Sequence, residues 1–112
     1  PFSMKKKVAI TGATGMLGRS LLRILNLSPD EYEVTGMGLN RAKPPLRKID
    51  LLNTAEITSF MDEIRPDIVV HCAAERDPDT FAKNPDRARA LNVQSTTLLT
   101  SECGRVGAIL IY

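Results

Sequence analysis

The residues Gly12-Ala13-Thr14-Gly15-Met16-Leu17-Gly18 form a G-x-x-G-x-x-G run between Lys7-Val8-Ala9-Ile10-Thr11 and a leucine-rich segment. Glycines so spaced, between a strand and a helix, suit a dinucleotide. Gly12 permits the tight turn, Gly15 lets the backbone approach a pyrophosphate, and Gly18 lets the helix pack on the strand. The N–H groups at the helix start then face the anion, and Thr14 adds a hydroxyl donor. The bland alternative is a tight turn with no ligand. About twenty residues beyond the glycines, where a carboxylate would take the ribose hydroxyl of NAD, Gly38-Leu39-Asn40-Arg41-Ala42-Lys43 offers two cations and no acid. Arg41 suits a bidentate phosphate contact and Asn40 can donate from its amide, which favours NADP(H) over NAD(H). A solvated basic loop is the competing reading. Asp50 and Leu51 suit an adenine, the acid accepting from its amino group and the leucine covering its ring.

His71 is the sole histidine. In an apolar strand it has no second metal ligand and no nucleophile beside it, so a packed, hydrogen-bonded side chain is expected. Cys72 reads as a small core residue whose backbone can line a cofactor groove, not as a reactive thiol. Glu75, Arg76, Asp77 and Asp79 follow, either touching a ligand or simply solvated.

These residues must be positioned by alternating strands and helices. Lys7–Thr11 is a strand, and Leu17, Leu21, Ile24 and Leu25 are spaced as the inner stripe of a helix that Ser28-Pro29-Asp30 ends. Residues 33–38 and Arg47-Lys48-Ile49-Asp50 read as strands joined by a Pro44-Pro45 loop. Asn53 caps a helix carrying Ile57, Phe60, Met61 and Ile64, which Pro66 stops. Residues 67–74 are an apolar run expected to be buried on both faces. Asn84-Pro85 starts a helix that Gly104 terminates, and residues 106–112 form a last strand. The alternation predicts an α/β doubly wound parallel sheet of five strands in order 3-2-1-4-5.

With 112 residues, 43% hydrophobic and 25% charged, the chain is expected to form one domain over residues 1–112, with Pro1-Phe2-Ser3 read as a remnant outside the fold. A net charge of +2 without a basic stripe argues against nucleic acid, and no run approaches the roughly 20 apolar residues of a membrane span. Cys72 and Cys103 fit neither a disulfide framework nor a zinc site. A soluble, cytoplasmic setting is expected. The apolar strand ending at Tyr112 has nothing to cover it, so a longer parent and self-association through this edge are both expected.

The glycine run, Asp50-Leu51, His71-Cys72-Ala73-Ala74 and Asn92-Val93 together resemble the N-terminal part of an extended short-chain dehydrogenase/reductase. Arg65–Val70 followed by His71-Cys72-Ala73-Ala74-Glu75-Arg76 is similar to the dTDP-4-dehydrorhamnose reductase group. Within it the His-Cys-Ala-Ala-Glu-Arg form resembles the regulatory β subunits of methionine adenosyltransferase, which bind NADP. The resemblance implies that Thr14, Gly15, Met16 and Leu17 hold the pyrophosphate and that Leu39, Asn40 and Arg41 meet the 2′-phosphate. It places Asp50 and Leu51 at the adenine, and Cys72, Ala73, Ala74 and Arg76 along the rest of the cofactor. Asn40 departs from the more basic pattern of that segment. Asn92 matches a helix asparagine that in reductases helps hold a water or the catalytic lysine.

Those reductases protonate the carbonyl oxygen with a Tyr-x-x-x-Lys pair. Here Tyr32 is followed four residues on by Gly36, and Tyr112 is the last residue. The chain by itself is therefore expected not to be catalytic. It reads as the NADP(H)-binding module of a regulatory subunit that partners the methionine adenosyltransferase catalytic subunit. The alternative is the cofactor half of an NADPH-dependent 4-keto nucleotide-sugar reductase.

Overall fold

Short strand-forming runs and capped helices alternate as β1 (Lys6–Thr11), α1 (Met16–Leu25), β2 (Tyr32–Gly38), β3 (Arg47–Lys48), α2 (Thr54–Ile64), β4 (Ile68–His71), α3 (Pro85–Val106) and β5 (Ile109–Ile111). The structure is a computed structural model that describes residues 5–39, 42–73 and 82–112. The strands form one parallel sheet in the order β3-β2-β1-β4-β5, as the alternation predicts. Two helix starts follow the capping rule: the side chain of Asn53 accepts from Glu56 N–H, and that of Asn84 from Arg87 N–H, each at 3.2 Å.

Helices lie on both faces. Ala9, Met37 and Val69 bury one face against Ile57, Phe60 and Met61 of α2 and Leu99 and Cys103 of α3. On the other face Val8, Ile10 and Ala13 pack against Leu21, Leu22 and Leu25 of α1. This last set corrects the expected stripe, because Leu17 and Ile24 are more than half exposed. A Cβ on Gly18 would lie 2.1 Å from the Gly12 carbonyl oxygen, so the helix is turned with its glycine against the turn. Residues 18, 21, 22 and 25 then face the sheet.

Three other expectations shift. Gly104 does not end α3, which continues to Val106, and Gly107 takes the left-handed cap conformation with its N–H on the Cys103 carbonyl. The extra turn lets Val106 pack on the core and Arg105 reach Glu102 and Asp62. The β3 ladder is two residues long instead of four, although Ile49 N–H still bonds the Gly38 carbonyl at 2.9 Å. In β4 only Val69 is fully buried, and Ile68 and Val70 are half-buried. They share the α1 face with their β5 neighbours Ile109 and Ile111, 63% and 49% exposed, and no helix among the described residues covers that half of the face. No helix among the described residues is long and apolar enough to cross a membrane.

An ionic cluster ties α2 to α3. Glu102 is nearly buried and accepts from Arg105 Nε and Nη2 at 2.8 and 3.2 Å, while Arg105 Nη1 reaches Asp62 at 2.8 Å. The Arg105 hydrogen bonds, helped by one from Thr58, hold the Glu102 carboxyl below the usual carboxylate range against the opposing effect of burial. With the folded value depressed, this contribution is complete above about pH 4.5 and is lost as pH falls through the folded value. Melting followed from about pH 5 to about pH 3 is therefore expected to fall more steeply for the parent than for Glu102→Gln. Parallel falls would contradict this.

Candidate functional site

Because β1 leads to β2 on one side and adjoins β4 on the other, the carboxyl ends of the strands open into a crevice at β1. Such a reversal point is where open α/β sheets bind ligands. A groove of about 810 Å³ runs there from Leu39 and Asp50 at the ends of β2 and β3, across Gly12–Gly18, to Cys72 and Ala73 beyond β4. Gly12, Thr14, Gly15, Met16, Leu17, Gly18, Leu39, Asp50, Leu51, Cys72 and Ala73 all line it. Asn40, Arg41, Ala74 and Arg76 lie outside the described residues, as do Glu75, Asp77 and Asp79.

The three glycines meet different surroundings. Gly12 has φ of 65°, and a Cβ on it would lie 2.6 Å from Ala73 N, so both conformation and space demand glycine. Gly18 is closed by the Gly12 backbone. A Cβ on Gly15, by contrast, would meet only Gly12 O, at an ordinary 3.4 Å. The room beside Gly15 is left open by the protein and faces the groove.

Gly15 is also the N-cap of α1. It contributes no side-chain cap and the first turn has no acidic residue, whereas α2 and α3 each combine an asparagine cap with an acid in the first turn. The positive end of the α1 dipole is therefore unneutralised by local side chains where it meets the groove. This arrangement, backbone donors beside an open glycine, fits an anionic phosphate group.

The groove floor is fastened by Thr11, fully buried at the end of β1. Its hydroxyl lies 2.7 Å from His71 Nδ1 and accepts from Ala73 N–H at 3.1 Å. Burial pushes the His71 pKa down, keeping the ring neutral near pH 7. The histidine is thus hydrogen-bonded and part-buried, as expected. At the far end Asp50 Oδ1 accepts from Leu52 N–H at 3.0 Å, which fixes the carboxylate at the groove wall. Cys72 and Cys103 are both thiols. Burial and the Glu102 charge push the Cys103 thiol up, away from a reactive thiolate. No metal-binding cluster occurs among the described residues.

Thr11, Met37, Gly38, Ile49, Leu52, Leu91 and Ser95 also line the groove but were not among the residues singled out from sequence for cofactor contact. Leu91 and Ser95 are four apart in the α3 pattern, flanking Asn92, so the helical period could have found them. Thr11 was detectable as the last strand residue before the first glycine. A smaller recess of about 330 Å³ lies elsewhere, between β3 and α2, and the bidentate Arg47–Glu63 pair lines it.

The chain is 37% identical over 107 residues to methionine adenosyltransferase 2 subunit beta of Bos taurus, covering 96% of this chain and 31% of that protein. It is 33% identical over 102 residues to dTDP-4-dehydrorhamnose reductase of Streptomyces griseus, covering 91% of this chain and 31% of that one. The chain thus spans about a third of the length of these relatives. In structure it is similar to dTDP-4-dehydrorhamnose reductase of Bacillus anthracis in complex with NADP, with a TM-score of 0.80 and 34% identity over 100% of this chain and 37% of that one. These likenesses place it with the N-terminal portion of extended short-chain dehydrogenase/reductase-like proteins. Residues 6–112 match the model of the RmlD substrate binding domain family, and the chain belongs to that family.

Proposed function

We propose that the chain is an NADP(H)-binding module, and that the longer protein carrying it is a regulatory subunit of methionine adenosyltransferase. The observation that carries the binding reading is the α1 start, where a helix end without a side-chain cap meets the open space at Gly15. In this reading Thr14, Gly15, Met16 and Leu17 hold the pyrophosphate. Leu39, Asn40 and Arg41 meet the 2′-phosphate, Asp50 and Leu51 the adenine, and Gly12, Gly18, Cys72, Ala73, Ala74 and Arg76 complete the site. When bound, the cofactor would supply a hydride donor or, in a regulatory subunit, an ordering ligand. The two thiols suit the reducing cytoplasm.

NADPH at 100 times its dissociation constant is expected to stabilise the chain by about 2.7 kcal/mol, with NADH needing a higher concentration for the same effect. Absence of any shift in thermal melting would refute the binding reading. The regulatory role rests on the likeness to the Bos taurus beta subunit. It requires that the longer protein co-purify with a methionine adenosyltransferase catalytic subunit and alter its methionine affinity. No association at micromolar concentration would sink it.

The likeness to the NADP-bound Bacillus anthracis reductase favours a second reading, the cofactor half of an NADPH-dependent 4-keto nucleotide-sugar reductase. A Tyr-x-x-x-Lys pair in the longer protein, with turnover of such a sugar, would decide for it.

A further inference from the structure

The hydrogen bonds at the groove floor assign a task to His71 that packing alone does not explain. Thr11 and His71 are register neighbours on β1 and β4, and the Thr11 hydroxyl serves two partners: His71 Nδ1 at 2.7 Å and Ala73 N–H at 3.1 Å. A hydroxyl has one proton and two lone pairs. Since Ala73 N–H can only donate, it takes a lone pair of Thr11. If His71 Nδ1 also donated, the Thr11 proton would need a third partner in a fully buried position. With Nδ1 as acceptor every group is satisfied, and no buried side-chain polar atom among the described residues lacks a partner. The neutral ring that burial enforces provides that acceptor.

Ala73 is the residue whose spacing matters. Its N lies 2.6 Å from where a Gly12 Cβ would be, so the chain after β4 passes directly against the first glycine of the turn. In the strand order, Cys72 and Ala73 lie across β1 from Leu39 and Asp50. A dinucleotide with its adenosine half at β2 and β3 therefore extends its nicotinamide half along Cys72 and Ala73. We propose that His71 is a positioning residue that orients the Thr11 hydroxyl and so holds the Ala73 wall at the spacing the nicotinamide half needs, without touching the cofactor. This rests on the dinucleotide reading of the groove and adds to it a division between its two halves.

Calorimetry with NADPH and with 2′,5′-ADP, which carries the adenosine half alone, tests this. His71→Phe removes the acceptor while keeping a ring. It is expected to weaken NADPH about tenfold, because the Thr11 hydroxyl turns to find another acceptor for its proton and the Ala73 wall moves from its spacing, and to leave 2′,5′-ADP within about twofold. His71→Asn places Oδ1 two bonds from Cβ, where Nδ1 stands, and is expected to restore NADPH binding. Thr11→Val, which keeps the shape and loses the shared hydroxyl, should reproduce the split if the phenylalanine variant does not fold. Equal losses for both ligands, no loss for either, or failure of His71→Asn to restore NADPH binding would overturn the proposal while leaving the dinucleotide reading intact. If the unaltered chain bound neither ligand, the dinucleotide reading would fall and this inference with it.

Discussion

Gly15→Ala is expected to fold normally and to lose most of its affinity for NADPH. The φ of −81° at Gly15 suits alanine, and the nearest atom to the added Cβ is Gly12 O at 3.4 Å. Alanine is a poorer N-cap than glycine, but it also reduces the entropy of the unfolded chain by about 0.4–1 kcal/mol, so the two effects nearly cancel. The methyl group occupies the room that a pyrophosphate would take. Overpacking of that kind costs about 1–3 kcal/mol, or about 5- to 150-fold in affinity. Gly18→Ala should behave in the opposite way. Its Cβ would sit 2.1 Å from Gly12 O and 2.7 Å from Gly12 C, both backbone atoms that cannot swing aside. A stability loss of about 3 kcal/mol or more is expected whether or not ligand is present. Calorimetry and thermal melting on the two variants separate these outcomes. A destabilised Gly15→Ala, or one that binds NADPH as the parent does, would remove the distinction between a glycine kept for the fold and one kept for the ligand.

The largest loss of stability is expected at Phe60. It is 1% exposed, the bulkiest fully buried side chain among the described residues, and central to the cluster that joins α2 and α3 to the sheet. Its ring also lies under the Arg47 guanidinium at 5.7 Å, so it links α2 to the short β3 ladder. Phe60→Ala should cost about 3–5 kcal/mol. Against a total of about 5–15 kcal/mol that is a large share, and a fall in melting temperature of about 15 °C or more follows. A loss under about 1 kcal/mol would mean that the core is centred elsewhere. Because the segment after β3 carries Asp50 and Leu51 to the groove, the variant should also bind ligand less well in proportion to its unfolded fraction.

Much of this arrangement is legible in the residues themselves. Asn53 with Glu56, and Asn84 with Pro85, mark helix starts through local hydrogen bonding that needs no tertiary information, and both starts stand where the sequence puts them. The parallel strand order follows from the alternation of elements and the handedness of crossovers. The glycine spacing and the ends of β2, β3 and β4 then bring the described candidate residues to one groove.

What was not legible depends on contacts distant in sequence. The face of α1 is set by Gly18 meeting Gly12, which outweighs the leucine periodicity that pointed Leu17 and Ile24 inward. The end of α3 falls at Gly107 because Arg105 and Val106 have partners to reach, and nothing local distinguishes Gly104 from Gly107 as a stop. The place of Thr11 before the first glycine is local information, but its pairing with His71 is set only by the register of β4. The helical period puts Ser95 on one face with Leu91 and Asn92, but that this face lines the groove follows from the seating of α3.

The central claim, that the crevice at β1 takes a dinucleotide with its pyrophosphate at Gly15, is tested most directly by following backbone amide resonances during an NADPH titration. The largest perturbations are predicted at Gly15, Met16 and Leu17, with further shifts at Leu39, Leu51 and Ala73. NADPH-induced shifts confined to the recess around Arg47 and Glu63, or no shifts in the glycine turn at saturating NADPH, would contradict it.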